Sequence, residues 1–447
     1  MLRTPAAKAS IKTVVSKRYS HQSVKLALGR MALALLAAGA FTAGGLAEAS
    51  DADDRNGNDH WVGTWSNALH EPDLGVPGLA NTGFNNQTLR QIAHISAGGH
   101  RVRVRLSTFG AGGLLIGAAH IGLRGATPAS IVPGSDRKLT FGGTPSITIP
   151  PGALVVSDPV DLNAPEQSDL AVSIFLPGNT GPATWHFEGR QTSFISPAGD
   201  FTASAIMPVS STTLARFWLA GVEVVASKRT GTIVALGESI TDGSQSTVDA
   251  NNRWTDQLAG RLLMQPGNRA MGVLNEGIAG GRLLHDSLGP NALARFDRDV
   301  LSQTGVTHVI VQLGDNDIFT VNPAEEVTVD QIIQGLRQLI QRAHMNGLEI
   351  FGCTLTPVEG FLLPGTPIPV FSPAKEVKRQ AVNAWIRTSG EYDDVIDFDR
   401  VLRDPNAPSK ISTLYDSGDH GHPTDAGYRA LANAIDLKLF KNSEGQQ

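Results

Sequence analysis

Between Gly231 and Phe440 the chain alternates short apolar runs with longer segments of helical spacing. The apolar runs have the length of buried strands, and they are TIVALG, GVLNEG, THVIVQLG, LEIFGCT and VIDF. The longer segments repeat apolar residues at helical intervals, and they are 253–265, 292–301, 329–347 and 425–440. This alternation predicts a parallel sheet that helices cover on both faces. Such sheets hold their ligands at the carboxyl ends of the strands.

The preceding part of the chain, residues 61–227, has the composition of an all-β domain. The run RVRVRLS at 101–107 alternates charged and apolar side chains, as a strand with one buried face does. Further short apolar runs follow, and clusters of Pro, Gly, Asn and Asp separate them. The pattern predicts a sandwich or jelly-roll-like domain over residues 61–227 and an α/β domain over residues 228–447.

The N-terminal sequence has the features of a targeting signal. Basic residues precede the apolar stretch MALALLAAGAFTAGGLA, which leads to a small-x-small pattern ending at Ala49. This arrangement predicts a secretory signal peptide over residues 1–49, followed by a mobile linker over residues 50–60. The alternative is a membrane anchor that is kept, but the apolar stretch is short and rich in Ala and Gly. We therefore expect a secreted or periplasmic protein with no membrane span after cleavage.

Composition and net charge limit the kinds of molecule that this protein is expected to bind. The chain has 447 residues and a formal net charge of −5, so nothing favours a nucleic-acid partner or a basic membrane-binding patch. Cys353 is the only cysteine and lies in an apolar run, which predicts a buried thiol and no internal disulfide. The sequence does not predict the oligomeric state.

Ser239 stands where the apolar run TIVALG gives way to the small and polar residues of ESITDGSQS. A serine at the end of a strand can act as a nucleophile, with backbone N–H groups nearby to receive an oxyanion. Taken alone, a serine at this position is more often a helix cap or a turn residue. The G-x-S-x-G elbow is not met, because Thr241 replaces its second glycine, and no Walker A sequence is present.

Two further polar stretches follow predicted strands. In NEGIAGG, the glycines around Gly280 allow the backbone N–H groups to approach an anion, although a plain turn has the same composition. The spacing does not fit the G-x-G-x-x-G dinucleotide pattern. In GDNDI, the Asn316 amide can donate to an oxyanion without adding charge, although it can also form an Asx-turn.

The stretch DHGHP near the C-terminus places Asp419 three residues before His422. At this spacing the carboxylate can accept a hydrogen bond from the imidazole, and Pro423 suits the first position of a helix, which would put His422 near its N-cap. His420 and His422 could instead form a metal-binding pair, but no cluster supplies a third ligand. The four stretches together offer a nucleophile, oxyanion donors and a histidine oriented by an aspartate, as acyl transfer requires.

These stretches resemble the sequence blocks of the SGNH, or GDSL-type, hydrolases. GESITDG resembles the first block, NEGIAGG the second, GDND the third, and DHGHP the block that carries the catalytic histidine. The resemblance implies a flavodoxin-like α/β/α fold without a metal or a cofactor. It makes Ser239 the nucleophile, His422 the general base and Asp419 its orienting group. It also assigns the oxyanion hole to the N–H groups of Ser239 and Gly280 and the side chain of Asn316.

Two residues depart from the family pattern. Glu238 replaces the aspartate of Gly-Asp-Ser, and Asp315 adds a negative charge beside Asn316. A longer carboxylate at position 238 could shift the loop without abolishing the chemistry. We expect the Asp315 carboxyl group to point away from the site, since a charge inside it would oppose an oxyanion.

The resulting hypothesis is a secreted serine ester hydrolase that acts through an acyl-enzyme, with acetyl or other short acyl esters of carbohydrates as substrates. One alternative is a lipase or lysophospholipase-type acylhydrolase. Another is a non-catalytic glycan-binding protein with a relict hydrolase fold. Glycan binding would need exposed aromatic side chains, and the candidates, which we expect instead in the core of the β domain, are Trp61, Trp65, Trp185 and Trp218.

Overall fold

The computed structural model describes residues 59–72, 79–265 and 270–440, which belong to one compact unit. The predicted signal peptide, and all but the last two residues of the predicted linker, lie outside the described residues. None of the described helices is long and apolar enough to cross a membrane.

The first part of the described chain is built from strands and one short helix, α1 (Leu79–Thr82). The strands are β1 (Trp61–Ser66), β2 (Gln87–His94), β3 (Gly99–Ser107), β4 (Leu114–Ile116), β5 (Ala118–Leu123), β6 (Arg137–Leu139), β7 (Ile147–Ile149), β8 (Leu154–Val156), β9 (Val160–Ala164), β10 (Asp169–Leu176), β11 (Trp185–His186), β12 (Ser193–Ala198), β13 (Ser211–Thr213), β14 (Arg216–Phe217) and β15 (Leu219–Val225). We call this part the β domain.

Two larger antiparallel sheets form most of the β domain, and β4 with β7 and β11 with β14 form two further two-stranded sheets. One has the order β1-β15-β3-β8, with β9 also paired to β3, and the other has the order β13-β12-β2-β10-β5-β6. The alternation predicted for 101–107 is present, since Val102, Val104 and Leu106 are fully buried. They share one apolar core with residues of β2, β5 and β10 from the other sheet. The two sheets therefore pack face to face, as the sequence predicted.

The second part alternates strands and helices. Its strands are β16 (Thr232–Gly237), β17 (Gly272–Gly277), β18 (Val306–Gln312), β19 (Glu349–Cys353) and β20 (Asp394–Ile396). Its helices are α2 (Ser239–Asp242), α3 (Trp254–Leu263), α4 (Ala292–Phe296), α5 (Asp315–Ile318), α6 (Val329–Met345), α7 (Pro373–Thr388), α8 (Phe398–Leu402) and α9 (Asp425–Ala434). A π-helical turn (Asp297–Leu301) continues α4, and 3₁₀ turns occur at Pro323–Glu325 and Leu437–Phe440.

All five of these strands are parallel, in the order β17-β16-β18-β19-β20. Successive residues of β16 face opposite sides of the sheet: Val234 and Leu236 join the core beneath α4, α6 and α7, whereas Ile233 and Ala235 join the core beneath α3, α8 and α9. This is the doubly wound, flavodoxin-like arrangement, so the predicted α/β/α fold is confirmed. The strand order reverses at β16, where ligands bind in such folds.

Several helices differ from the sequence-based prediction, since the short helices α5 and α8 were not predicted and two longer ones also depart from it. The C-terminal helix was predicted over 425–440, but α9 ends at Ala434 because Ile435 is extended, and a separate 3₁₀ turn follows. Helix α7 was not predicted, because its apolar residues are few and polar residues surround them. It is fixed by the Ser372 cap, whose hydroxyl accepts from Lys375 N, and by Val382 and Ile386, which reach the core.

Candidate active site

Ser239 is the first residue of α2, directly beyond the carboxyl end of β16. The chain turns sharply here, and a Cβ atom on Gly237 would lie 2.1 Å from Thr241 Oγ1, so only glycine fits. Glu238 occupies the N-cap position and makes no capping hydrogen bond with its side chain. Ser239 is therefore not the cap of this helix, and its hydroxyl group is available for another contact.

His422 supplies that contact. Its Nε2 lies 2.8 Å from Ser239 Oγ, and its Nδ1 lies 2.7 Å from Asp419 Oδ2. Because the carboxylate accepts the Nδ1 hydrogen, Nε2 of the neutral ring is the nitrogen that accepts from the serine hydroxyl. The ring of Phe361 packs edge-on against the imidazole, with 5.2 Å between centroids. The helix that follows is capped by Thr424, so Pro423 precedes the cap instead of opening the helix as predicted.

Asp419 is held as an anion. Burial alone would raise the pKa of its carboxyl group, but the hydrogen bond and charge of His422 and the N–H groups of Gly421 and His422 together lower the pKa well below its usual value. Oδ1 accepts from both of these N–H groups at 2.9 Å, and Oδ2 also accepts from Gln245 Nε2 at 3.2 Å. The carboxylate is thus fixed in position against Nδ1 of the imidazole.

The N–H groups of Ser239 and Gly280 face no protein acceptor among the described residues. Gly280 lies in the loop beyond β17, with a φ of 73° that favours glycine. Asn316 lies in α5, just beyond β18, and its Nδ2 donates to Glu238 Oε2 at 2.8 Å and to Gly281 O at 3.0 Å. Its two amide hydrogens are therefore directed at protein oxygens, so the predicted contact with an oxyanion would require one of them to be redirected.

The two acidic departures from the family pattern are buried beside these groups. Glu238 accepts from Gly314 N at 2.6 Å and from Asn316 N at 3.0 Å, which ties the end of β16 to the loop after β18. Burial raises the pKa of Glu238 well above its usual value, and the nearby Asp315 and Asp317 add to the rise. Burial likewise raises the pKa of Asp315 to about 7. Glu238 therefore serves as a bridge between two loops.

Asp315 Oδ2 accepts from Thr356 N at 3.2 Å, and Asp315 is nevertheless among the residues that line the cavity above Ser239. With a pKa of about 7, the Asp315 carboxyl group is protonated for much of its time near neutral pH. This reduces the negative charge beside Asn316 that the sequence had led us to expect.

A cavity of about 650 Å³ opens over these groups. Ser239, Gly280, Asn316 and His422 all line it. Most of the remaining lining is apolar, and it includes Phe187, Ile240, Leu288, Phe319, Val321, Val358, Phe361, Leu363 and Val370. The predicted site residues therefore meet in one cavity, which is of a size that accepts a small-molecule ligand.

Residues 235–430 match the model of the GDSL-like lipase/acylhydrolase family. This part of the chain is a GDSL-like lipase/acylhydrolase domain. The match begins in β16 and ends in α9, so it spans all five parallel strands and the resemblance noted in the sequence is confirmed. No curated protein matches the chain in sequence.

Solved structures with similarity to the chain include three bacterial hydrolases. A GDSL-like lipase from Bacteroides thetaiotaomicron is 18% identical, covering 48% of this chain and 90% of its own, with a TM-score of 0.36. A carbohydrate acetylesterase from Sinorhizobium meliloti is 16% identical, covering 47% and 98%, with a TM-score of 0.37. An acetyl xylan esterase variant from Geobacillus stearothermophilus is 19% identical, covering 49% and 100%, with a TM-score of 0.36.

The GDSL-like domain does not build the cavity alone. Phe187 and Glu188 belong to the β domain, just beyond β11, and both line the cavity. Glu188 Oε2 accepts from Ser244 Oγ at 2.7 Å. Sequence reasoning missed these two residues, because they lie outside the matched region and no spacing pattern connects them to Ser239. The only local feature of the sequence at these residues is the short run WHFE, in which apolar and polar residues alternate.

The other candidates considered from the sequence have ordinary surroundings. Among the described residues, no three His, Cys, Asp or Glu side chains are grouped so as to hold a metal ion. His420 Nδ1 pairs with Asp416 Oδ2 at 2.6 Å. Trp218 lies in the core of the β domain, and Trp65 and Trp185 pack against that core. Cys353 is buried, and burial raises the pKa of its thiol.

Proposed function

We propose that this protein is a serine carboxylic-ester hydrolase that works through an acyl-enzyme. The observation that supports the proposal is the 2.8 Å contact between Ser239 Oγ and His422 Nε2, because this histidine nitrogen is positioned to take the hydroxyl proton. The Asp419 carboxylate at Nδ1 favours the required tautomer and stabilises the imidazolium that forms.

The reaction follows from these contacts. Ser239 Oγ adds to the ester carbonyl carbon while His422 Nε2 accepts the hydroxyl proton. The negative charge that develops on the carbonyl oxygen is stabilised by the N–H groups of Ser239 and Gly280, and by Asn316 if its amide turns toward the oxygen. The carbon–oxygen bond to the alcohol then breaks, and the imidazolium protonates the leaving alkoxide. Water attacks the acyl-enzyme with the same general base, which releases the acid and restores the serine.

The volume and the lining of the cavity indicate which acyl groups the site would favour. An acetyl group would fill little of about 650 Å³, and the predominantly apolar lining gains free energy only from an apolar group that covers it. We therefore propose acyl groups longer than acetyl, as in the lipase-type alternative. Short acyl esters of carbohydrates, favoured by sequence reasoning alone, remain the second candidate.

Labelling with a fluorophosphonate tests the serine assignment. Intact-mass spectrometry of the wild-type protein should show one adduct, and the Ser239→Ala variant should show none. The variant should also lose about a thousandfold or more in kcat. A folded wild-type protein that takes no adduct and hydrolyses no ester would favour the non-catalytic glycan-binding alternative.

A series of p-nitrophenyl esters tests the acyl preference, because the leaving group stays constant while the acyl chain grows from two to twelve carbons. We expect kcat/KM to rise beyond the acetyl ester and to reach its maximum at a longer chain. A maximum at acetyl would instead support deacetylation of carbohydrates. In that case acetylated oligosaccharides would be the next substrates to measure.

Export of the protein is a separate proposal. It is supported by the basic residues, the apolar stretch and the small-x-small pattern that ends at Ala49. N-terminal sequencing of protein from the periplasm or the medium should begin at Ser50. Protein that keeps the N-terminal residues and stays with the membrane would support the retained-anchor alternative.

A further inference from the structure

A segment of the β domain runs beside the loop that follows the nucleophile helix. Three of its alternate residues contact the last residue of that helix and two alternate residues of the loop. His186 Nε2 lies 2.9 Å from Asp242 Oδ1, Glu188 Oε2 accepts from Ser244 Oγ at 2.7 Å, and Arg190 Nη2 donates to Ser246 O. We call residues 186–190 the docking segment. Its contacts keep one register, since each pair is separated by 56 residues.

The contact between His186 and Asp242 is the most buried of the three. Their side chains are each 4% exposed. His186 Nδ1 lies 2.9 Å from Ala68 O, while Nε2 faces the Asp242 carboxylate. A carbonyl and a carboxylate oxygen both accept, so each ring nitrogen of His186 lies within hydrogen-bonding distance of a buried acceptor. Breaking a buried hydrogen-bonded contact of this kind is costly because it leaves buried polar groups without partners, so the contact favours one arrangement of the two domains.

Asp242 extends this contact to the active site. Its Oδ2 accepts from Ala279 N at 2.9 Å, and Ala279 directly precedes Gly280, whose N–H group is a proposed oxyanion donor. The same aspartate is the last residue of α2, which begins at Ser239. The carboxylate therefore holds the loop after β17 in a fixed position relative to the nucleophile.

We propose that His186 is a positioning residue for the ester hydrolysis, and that it acts through Asp242 on the Ala279–Gly280 backbone. The inference rests on the proposed function, since it concerns the oxyanion donors of that reaction. Without the imidazole, one Asp242 oxygen loses its donor, and the carboxylate is free to rotate away from Ala279 N. The Gly280 N–H group then shifts from the position that the oxyanion requires. His186 itself does not contact the reacting atoms.

The test compares three variants with the wild-type protein at 25 °C. His186→Ala should lower kcat by about 10- to 100-fold with KM changed by less than about twofold. The reason is that a displaced Gly280 N–H group weakens the hydrogen bond to the oxyanion, which forms chiefly in the transition state. His186→Gln can still donate to Asp242 Oδ1, so its kcat should lie between those of His186→Ala and the wild type. Asp242→Asn keeps the side-chain shape, and it tests the same link if the His186 variants do not fold.

A matched control is available at the opposite edge of the parallel sheet. Thr304 precedes β18, and its hydroxyl donates to Glu223 of the β domain at 2.7 Å. Thr304→Val removes a contact between the same two domains, far along the strands from Ser239. We expect this variant to keep the wild-type kcat, even where its melting temperature falls as much as that of His186→Ala.

The outcomes separate the inference from the proposed function. A wild-type protein that is labelled at Ser239, together with the order wild type, Gln, Ala in kcat, supports the inference. Folded His186 and Asp242 variants with the wild-type kcat would overturn the inference and leave the esterase proposal intact. Equal losses of kcat in Thr304→Val and His186→Ala would also overturn it, because any weakened domain contact would then suffice. A wild-type protein without labelling or turnover would overturn the proposed function itself.

Discussion

Two histidine–aspartate pairs lie at the two ends of α2, a helix of four residues. At its first residue, His422 contacts Ser239 Oγ with one nitrogen and Asp419 with the other. At its last residue, Asp242 contacts His186, whose second nitrogen faces a backbone carbonyl group. The pairs have nearly equal hydrogen-bond lengths, 2.7 and 2.9 Å.

The difference between the pairs lies in the second nitrogen of each imidazole. His422 Nε2 faces a hydroxyl group, which can give up a proton, so this histidine can act as a base. His186 Nδ1 faces a carbonyl oxygen, which has no proton to give, so this histidine can only hold its neighbours. The same two residue types therefore differ in the chemistry that is open to them because of a single hydrogen-bonding partner.

The largest expected effect comes from Asp419→Asn. The amide can donate to the imidazole and so favours the tautomer with the proton on Nε2, which cannot accept from Ser239. We expect kcat to fall about 10³- to 10⁴-fold while the fold is kept. The measurement is steady-state hydrolysis of a p-nitrophenyl ester, beside the melting temperature. A loss in Asp242→Asn as large as that in Asp419→Asn would contradict the distinction between the two pairs.

A smaller effect concerns the acid stability of the first pair. The pKa of Asp419 is lowered in the folded protein, so its charge stabilises the fold above the unfolded pKa of about 4, and this contribution is lost as the pH falls toward the folded pKa. The melting-temperature difference between the wild type and Asp419→Asn should therefore shrink by a few degrees, about 2–4 °C, from pH 6 to pH 3. A constant difference over this range would show that Asp419 adds no pH-dependent stability.

The smallest effect is expected at a third pair, His420 with Asp416. His420 is two residues from His422 but has a side chain that is 53% exposed, and it is not among the cavity-lining residues. A pair with one exposed member contributes little to stability. His420→Ala should keep kcat and kcat/KM within about twofold of the wild-type values. A tenfold loss would mean that the His420–Asp416 pair helps to hold the Asp419–His422 loop.

Sequence reasoning identified the residues that follow parallel strands, for a physical reason. The end of a buried strand can be recognised in the sequence where apolar residues give way to small or polar ones. The carboxyl ends of parallel strands then lie together at one edge of the sheet. Ser239, Gly280 and Asn316 were found in this way, and His422 was found by its spacing from Asp419. Helices α3, α4, α6 and α9 of the GDSL-like domain were found by their spacing. Helix α7 was missed because its apolar face is narrow, and α2, α5 and α8 are too short to show a period.

The contacts between the domains could not be predicted in this way. His186 and Asp242 are 56 residues apart and belong to different domains, so no periodicity connects them. Their contact depends on how the β domain packs against the sheet, which is decided by many apolar residues together. For the same reason the sequence did not indicate that Asn316 would already donate to Glu238 and Gly281.

The docking segment also limits how this protein can be re-engineered. A designer who wished to graft the GDSL-like domain onto another carrier would naturally cut the chain between Val225 and Thr232, where one set of strands ends and the next begins. That cut would remove His186, Phe187 and Glu188 and leave one wall of the cavity above Ser239 open to water. A working chimaera would have to transplant residues 186–190 as well, with a scaffold that presents them in the same register to residues 242–246.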